Sequence, residues 1–256
     1  MNKISFLLID YLKHALRAFF AFLNGGGSCV VCGNKTGVYM ICKKCLKEKF
    51  SADFILGIRR CRICGKELLT DEDFCSECRE KPVLKHIDKM IPLESYRLWN
   101  KELLFLWKIN SVRSMSRLFA RVLSDCLFKL GIKVIVPVPP RPNKIKENGW
   151  DQIDELCSYL KYKYGFCVLD ILERKSVEQQ KKLNREERLN SIGKAYFMKN
   201  EERVAEILKK AGLKRLDEVC LVDDVFTTGA TLESCSKILK DRGVERVFAV
   251  TLFIVD

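Results

Sequence analysis

Apolar and polar residues follow two different periods along this chain. Apolar runs of strand length occur at 134–138, 219–222 and 247–255, and apolar residues recur at helical spacing within 103–123 and 232–239. Strands that alternate with helices predict an α/β fold with a mostly parallel sheet and flanking helices. Ligands bind such a sheet at the carboxyl ends of its strands, so we expect the candidate site at that edge.

The segment that joins the second apolar run to its helix carries the candidate chemistry. Its strand ends in two adjacent acids, and a turn of small and hydroxyl-bearing residues opens the helix. Unpaired N–H groups and the helix dipole favour an anion there, and paired carboxylates suit the vicinal hydroxyls of a sugar, directly or through metal-bound water. The predicted ligand-binding residues of this segment, the signature loop, are Asp223, Asp224, Thr227, Thr228, Gly229, Ala230 and Thr231.

Eight of the thirteen cysteines form four Cys-x-x-Cys pairs. Two such pairs complete a tetrahedral zinc site that has no open position for catalysis, so we expect structural zinc ions. Sequential pairing predicts two sites, Cys29, Cys32, Cys42 and Cys45 for the first and Cys61, Cys64, Cys75 and Cys78 for the second. A cross-braced pairing fits the spacing as well.

The net charge of +13 and the isoelectric point near 9.1 indicate anionic partners. Basic residues cluster beside the cysteine pairs, and we expect these to contact nucleic acid: Lys43, Lys44, Arg59, Arg60 and Arg62. The other interpretation of the cysteine-rich segment, a docking or dimerisation module, has equal support.

The apolar N-terminal stretch at 3–23 is interrupted by charged residues, among them Asp10, Lys13 and Arg17. Charges at a bilayer centre are costly, so we predict an amphipathic helix rather than a membrane span. It packs on the protein or attaches peripherally to a membrane. A conventional signal peptide is not evident, and free thiols suit the cytoplasm. The predicted organisation is a helix and glycine hinge at 1–27, a double zinc ribbon at 28–82 and the α/β domain at 83–256.

The signature loop resembles the 5-phosphoribosyl diphosphate (PRPP) binding sequence of type I phosphoribosyltransferases. Nearly the whole chain after about residue 27 resembles the ComF family of competence proteins, which join a zinc ribbon to a domain of that kind. The matches are the four cysteine pairs, Tyr96, Lys108, the Val-Pro-Val-Pro turn at 136–139, residues 149–152, the stretch from Gln180 to Phe197 and the signature loop.

The resemblance implies PRPP bound with Mg²⁺, its ribose hydroxyls on the two acids and its 5′-phosphate on the Thr/Gly turn. The expected diphosphate loop is the rigid turn of Pro139, Pro140 and Arg141. The resemblance also implies a role in the uptake of transforming DNA. The expected partners are single-stranded DNA and DNA-uptake proteins such as the competence helicase.

Whether the chain transfers a phosphoribosyl group or only binds PRPP stays open at this stage. Relatives commonly carry Arg-Gly-Phe-Asn-Gln where this chain has Asn148 to Gln152, and an acid at Asp151 beside a diphosphate disfavours efficient transfer. Two alternatives are a nucleobase salvage phosphoribosyltransferase and a PRPP-responsive regulator that binds nucleic acid.

Overall fold

A computed structural model of the protein describes residues 11–12, 15–16, 19, 23, 27–36, 40–96, 99–175 and 195–255. The helices in these ranges are α1 (Lys43–Lys49), α2 (Ala52–Gly57), α3 (Ser76–Glu80), α4 (Trp99–Lys108), α5 (Ser114–Lys129), α6 (Lys144–Asn148), α7 (Gln152–Tyr162), α8 (Glu201–Ala211) and α9 (Ala230–Asp241). The strands are β1 (Lys89–Ser95), β2 (Val134–Pro137), β3 (Cys167–Val168), β4 (Leu172–Arg174), β5 (Tyr196–Met198), β6 (Glu218–Phe226) and β7 (Arg246–Ile254).

Five strands form one parallel sheet in the order β1-β7-β6-β2-β3. The longest pairing joins β6 to β7, from Glu218 opposite Arg246 to Phe226 opposite Ile254. Strands β4 and β5 form a separate antiparallel pair. The predicted α/β fold with a mostly parallel sheet and flanking helices is confirmed.

The sheet separates two hydrophobic clusters because successive side chains of a strand point to opposite faces. Cys220 and Val222 of β6 belong to the cluster that contains α5 and α7, whereas Val219 and Leu221 belong to the cluster that contains α9. Both clusters extend into the cysteine-rich segment. The first contains Cys29 and Cys45, and the second contains Cys61 and its three partners.

Local sequence explains where the helices that flank the site begin and end. Asp151 caps α7, because its carboxylate accepts the N–H of Asp154 at 2.9 Å. Asn200 caps α8 in the same way through the N–H of Arg203, and Gly212 ends that helix in the left-handed conformation. None of the helices in the described ranges is long and apolar enough to cross a membrane.

The predicted N-terminal helix lies largely outside the described residues. Those that are described, among them Tyr11, Leu16 and Phe19, are helical and exposed. The ring of Tyr11 lies 4.9 Å from that of Tyr162 at the end of α7. Whether the stretch attaches to a membrane stays a prediction, as do the boundaries at 1–27, 28–82 and 83–256.

Candidate functional site

The eight paired cysteines converge in two groups of four. Cys29, Cys32, Cys42 and Cys45 form one group and Cys61, Cys64, Cys75 and Cys78 form the other, with the sulfur atoms of each group within 4.8 Å of one another. The grouping is the sequential one, and it rules out the cross-braced alternative. We call the segments that carry them the first cysteine module (residues 28–50) and the second cysteine module (residues 60–82).

The sulfur geometry of both groups fits zinc. A tetrahedral ion with Zn–S bonds of about 2.3 Å requires sulfur separations of about 3.8 Å. The Sγ atoms of Cys32 and Cys42 lie 3.7 Å apart, and those of Cys64 and Cys75 lie 3.6 Å apart. Four thiols with no oxygen or nitrogen ligand are the donor set of structural zinc, so the two groups can hold two zinc ions.

Backbone N–H groups favour the thiolate form at the first cysteine of each group, whereas burial and the neighbouring cysteines raise the pKa of Cys45 to about 12. Burial raises the pKa of Cys29, but the N–H groups of Cys42, Cys32 and Val31 outweigh it, and the pKa falls to about 6. The pKa of Cys61 falls to about 7 for the same reason, with burial again opposed by backbone donors. A hydrogen bond of 3.3 Å from the Cys42 N–H to the sulfur of Cys29 is one of these contacts.

The signature loop lies at the carboxyl end of β6, in the middle of the sheet. Asp223 and Asp224 are the sixth and seventh residues of that strand, and α9 begins at Ala230. Gly229, which lies between the end of β6 and the start of α9, has φ +77°. A Cβ at this position would lie 3.0 Å from the Phe226 ring and 3.2 Å from Leu84. A side chain here would crowd both neighbours and strain the backbone, so glycine suits this turn, which exposes Thr227 and Thr228 beside the first turn of the helix.

The two acids differ in their surroundings. Burial raises the pKa of Asp223 to about 7, and the charge of Asp224 adds to the effect. Asp224 instead forms an ion pair with Lys108, whose Nζ lies 2.5 Å from Oδ2. A carboxyl group whose pKa lies near 7, next to a carboxylate in an ion pair, is typical of a ligand site rather than of a solvated surface.

A chain of polar contacts links Lys108 to the turn before α7. The side-chain amide of Gln152 donates to the Lys108 carbonyl at 3.4 Å. Lys144 lies 2.6 Å from both the Asp151 carboxylate and the Gln152 side-chain oxygen. The negative charge at Asp151 is therefore paired with a lysine and also caps a helix.

The expected diphosphate loop leaves β2 at the same edge of the sheet. Pro139 and Pro140 line a cavity of about 610 Å³ together with residues of α7 and β4. The third residue, Arg141, forms an ion pair with Glu147 at 2.5 Å. Tyr196 connects this cavity to the signature loop. Arg174, which lines the cavity, stacks 5.3 Å from the ring of Tyr196, and the Tyr196 hydroxyl lies 3.4 Å from that of Thr231.

The linker after the second cysteine module covers the outer side of the signature loop. Leu84 packs against Gly229, as the close approach to its missing Cβ shows. Glu233 in the first turn of α9 accepts the N–H groups of Lys85 and His86, at 2.9 and 3.3 Å, and contacts the His86 ring at 2.6 Å.

Four residues of this site were not predicted from the sequence as site residues: Lys108, Lys144, Leu84 and Glu233. Lys108 entered only as a match to the family. The acid that pairs with Lys108 and the contact partners of Leu84 and Glu233 lie more than 100 positions away in the chain, and Lys144 carries no motif of its own.

The five basic residues predicted to contact nucleic acid have different surroundings. Arg59 pairs with Asp71 and Arg62 with Asp73. Arg60 is partly buried and donates to the carbonyls of Gly65 and Leu93 at 3.2 and 3.3 Å. Lys43 and Lys44 lie on α1, and both are exposed. Of the matched stretch from Gln180 to Phe197, residues 180–194 lie outside the described residues.

Together these features define an α/β protein whose parallel sheet carries an acid pair at its central carboxyl edge and two cysteine modules on its faces. No protein-family model matches the chain. It is 27% identical over 199 residues to competence protein ComFC of Streptococcus pneumoniae, covering 77% of this chain and 81% of that protein. It is 27% identical over 216 residues to competence protein F of Haemophilus influenzae, covering 81% and 87%. The predicted resemblance to the ComF competence proteins is confirmed.

Proposed function

We propose that this protein binds PRPP or a related phosphoribosyl compound and acts in the uptake of transforming DNA. The observation that supports binding most strongly is the position of Asp223 and Asp224, at the carboxyl end of a central strand and immediately before a glycine turn into α9. The role in DNA uptake is supported by similarity to two proteins that are named for competence.

In this proposal the acidic residues and the N–H and hydroxyl donors of the signature loop bind different parts of the ligand. Asp223 and Asp224 accept hydrogen bonds from the ribose hydroxyls, while the N–H groups and hydroxyls of the turn from Thr227 to Thr231 hold the 5′-phosphate. The turn of Pro139 and Pro140 faces the diphosphate. Mg²⁺, when bound, would neutralise the charge of the diphosphate.

Each group of four cysteines holds one structural zinc ion in this proposal. The protein works in the cytoplasm, where free thiols persist. Single-stranded DNA and proteins of the uptake machinery are its partners, a proposal supported by the net charge of +13.

Calorimetric titration with PRPP and Mg²⁺ tests the binding site. Asp223→Asn and Asp224→Asn each remove a charge-assisted hydrogen bond worth about 1.5–3 kcal/mol, so affinity falls roughly ten- to a hundredfold. Asp241→Asn is the matched control, because this acid is exposed at the far end of α9. Undiminished affinity in a folded Asp223→Asn/Asp224→Asn variant would show that the loop binds another ligand or none.

The role in DNA uptake is tested in cells. A strain that lacks the gene is complemented with the wild type, with Asp223→Asn or with Asp241→Asn, and the frequency of transformation is measured. We expect the wild type and the control to restore transformation and Asp223→Asn to fail. Full restoration of transformation by Asp223→Asn at equal protein level would show that the role in DNA uptake does not depend on ligand binding by the signature loop.

A further inference from the structure

Each acid of the signature loop uses one carboxylate oxygen in a contact within the protein. Oδ1 of Asp223 accepts the backbone N–H of Asp224 at 2.8 Å. Oδ2 of Asp224 lies 2.5 Å from the ammonium group of Lys108. The second oxygen of each acid, Oδ2 of Asp223 and Oδ1 of Asp224, forms no hydrogen bond with any of the described residues. The acid pair therefore offers a ligand two acceptor oxygens, one from each carboxyl group.

Buried contacts fix the backbone of Lys108. Trp107, the residue before it, is fully buried, and the ring N–H of Trp107 donates to the Ser116 hydroxyl at 2.8 Å. Lys108 is the last residue of α4, where carbonyl groups lack donors from their own helix. The side-chain amide of Gln152, which is also buried, donates to the Lys108 carbonyl at 3.4 Å. The ammonium group thus extends toward Asp224 from a fixed point.

The charge of Lys108 acts on both acids. Burial and the charge of Asp224 raise the pKa of Asp223, and the charge of Lys108 opposes them. The next cation along the network, Lys144, lies 2.6 Å from the carboxylate of Asp151, so it is already paired. Adjacent carboxylates repel each other. Because Lys108 offsets that repulsion, it stabilises the arrangement in which the two carboxyl groups lie side by side.

Two acceptor oxygens held side by side suit two hydroxyl donors on adjacent carbon atoms. Ribose carries such a pair at its 2- and 3-positions, whereas 2-deoxyribose has lost one of the two. A hydrogen bond to a charged acceptor is stronger than one between neutral groups. The second hydroxyl therefore adds affinity only while both oxygens keep their positions. Without its contact to Lys108, the Asp224 carboxylate could turn and accept hydrogen bonds from water instead.

We infer that Lys108 is a positioning residue that determines specificity: it holds Asp224 so that the acid pair binds the vicinal hydroxyls of a ribose phosphate in preference to a deoxyribose phosphate. The inference rests on the proposed function and names the sugar that the site selects. Lys108 itself contacts Asp224 and acts on the ligand through it.

The test compares ribose 5-phosphate with 2-deoxyribose 5-phosphate, two probes that carry the same phosphate group. Phosphorus NMR titration of the full chain in the absence of Mg²⁺ gives a dissociation constant for each probe. The ratio of the two constants cancels the general effect of charge on phosphate binding. We expect the wild type to prefer ribose 5-phosphate about tenfold or more. Lys108→Met should lower this preference to about threefold or less, because the bond to Asp224 is weakened.

Two further variants separate the position of the cation from the stability of its helix. Lys108→Arg keeps a cation at the single contact with Asp224, so the preference should stay above about fivefold. Lys101→Met removes an exposed lysine near the other end of α4 and should bind both probes like the wild type. Circular dichroism and metal content are compared for all variants.

Three outcomes would overturn the inference and leave ligand binding by the loop in place. The first is an unchanged preference for ribose 5-phosphate in a folded Lys108→Met variant. The second is equal affinity of the wild type for both probes, which would show that the acid pair does not recognise the 2-hydroxyl. The third is the same loss of preference in Lys101→Met as in Lys108→Met. Binding of neither probe by the wild type, together with no binding of PRPP, would contradict the proposed function and the inference with it.

Discussion

The two cysteine modules have the same local structure but lie on opposite faces of the sheet. In each, a glycine with positive φ follows the second cysteine, +73° at Gly33 and +75° at Gly65. The glycine N–H returns to the carbonyl of the first cysteine at 2.8 and 2.9 Å. A short helix starts directly after the third cysteine in both. The first module nevertheless packs with α5 and α7, and the second packs with α9.

Contacts with β1 distinguish the second module from the first. The second module has Arg60 where the first has Ser28, and the Arg60 guanidinium donates to the Leu93 carbonyl of β1. Gly65 also touches β1, because a Cβ there would lie 2.8 Å from Pro92 Cγ and closer still to Cδ, whereas Gly33 has open space around it. Metal geometry thus depends on the motif, and docking depends on single positions beside it.

The difference in burial predicts unequal consequences of losing a metal ligand. Cys64 is 3% exposed and lies in the core with its three partners, whereas Cys32 is exposed. We expect Cys64→Ser to lower the free energy of unfolding by at least about 4 kcal/mol and Cys32→Ser by about 2 kcal/mol, because water can replace the exposed thiol. Metal analysis together with thermal unfolding measures this. Equal losses would mean that burial of the module adds nothing to stability.

The two glycines provide the next largest effect and a matched pair. Gly33→Ala meets only the cost of a positive φ, about 1 kcal/mol. Gly65→Ala meets that cost and a clash with Pro92, about 3 kcal/mol in all. Urea unfolding of both variants gives the two values. A similar loss of unfolding free energy in both variants would show that Pro92 of β1 can move to accommodate the added methyl group.

Much of this comparison could be foreseen, because its basis is local. Apolar runs predicted β2, β6 and β7. Cysteine spacing predicted the four Cys-x-x-Cys pairs and two zinc sites, but it fitted a sequential and a cross-braced grouping equally well. The acid pair at the end of β6 followed from its own strand, turn and helix.

The docking of these parts could not be foreseen, because the contacts join distant positions. The sequence offers no signal that Lys108 pairs with Asp224. Arg60 resembles a surface cation, yet it is partly buried since two backbone carbonyls accept its guanidinium. Lys43, Arg117 and Lys163 line one recess because α1, α5 and the end of α7 meet there, and no one segment carries that pattern.

A third pair of variants tests whether the ligand site depends on the linker after the second module. Leu84 and Ile41 are 5% and 3% exposed, and Leu84 packs against Gly229 while Ile41 packs on the other face of the sheet. Leu84→Ala and Ile41→Ala should each cost about 2–3 kcal/mol of stability. Calorimetry should show PRPP affinity reduced severalfold in Leu84→Ala only. The same affinity in both variants would confine the linker to a structural role.

The smallest expected effect concerns the signature loop. Its buried carboxyl group makes stability fall as pH rises, which is the opposite of the usual effect of a carboxyl group. Burial and the charge of Asp224 raise the pKa of Asp223 to about 7 from 3.8, while Lys108 opposes them and Asp151 adds to them. A raised carboxyl pKa means that the folded protein holds a proton which the unfolded chain has lost. Stability therefore falls as pH rises from about 4 to 7 and is constant above that range.

Asp223→Asn removes this cost and should raise the free energy of unfolding by about 1–2 kcal/mol at a pH of about 8, although it weakens PRPP binding. The advantage should shrink as pH falls to about 5.5, because the wild-type carboxyl is then protonated as well. Thermal unfolding of both proteins across that pH range measures the difference, with Asp241→Asn as the exposed control. An advantage that does not change with pH would assign the gain to packing. A loss of stability at the alkaline end would mean that the ion pair of Asp224 with Lys108 depends on an ionised Asp223.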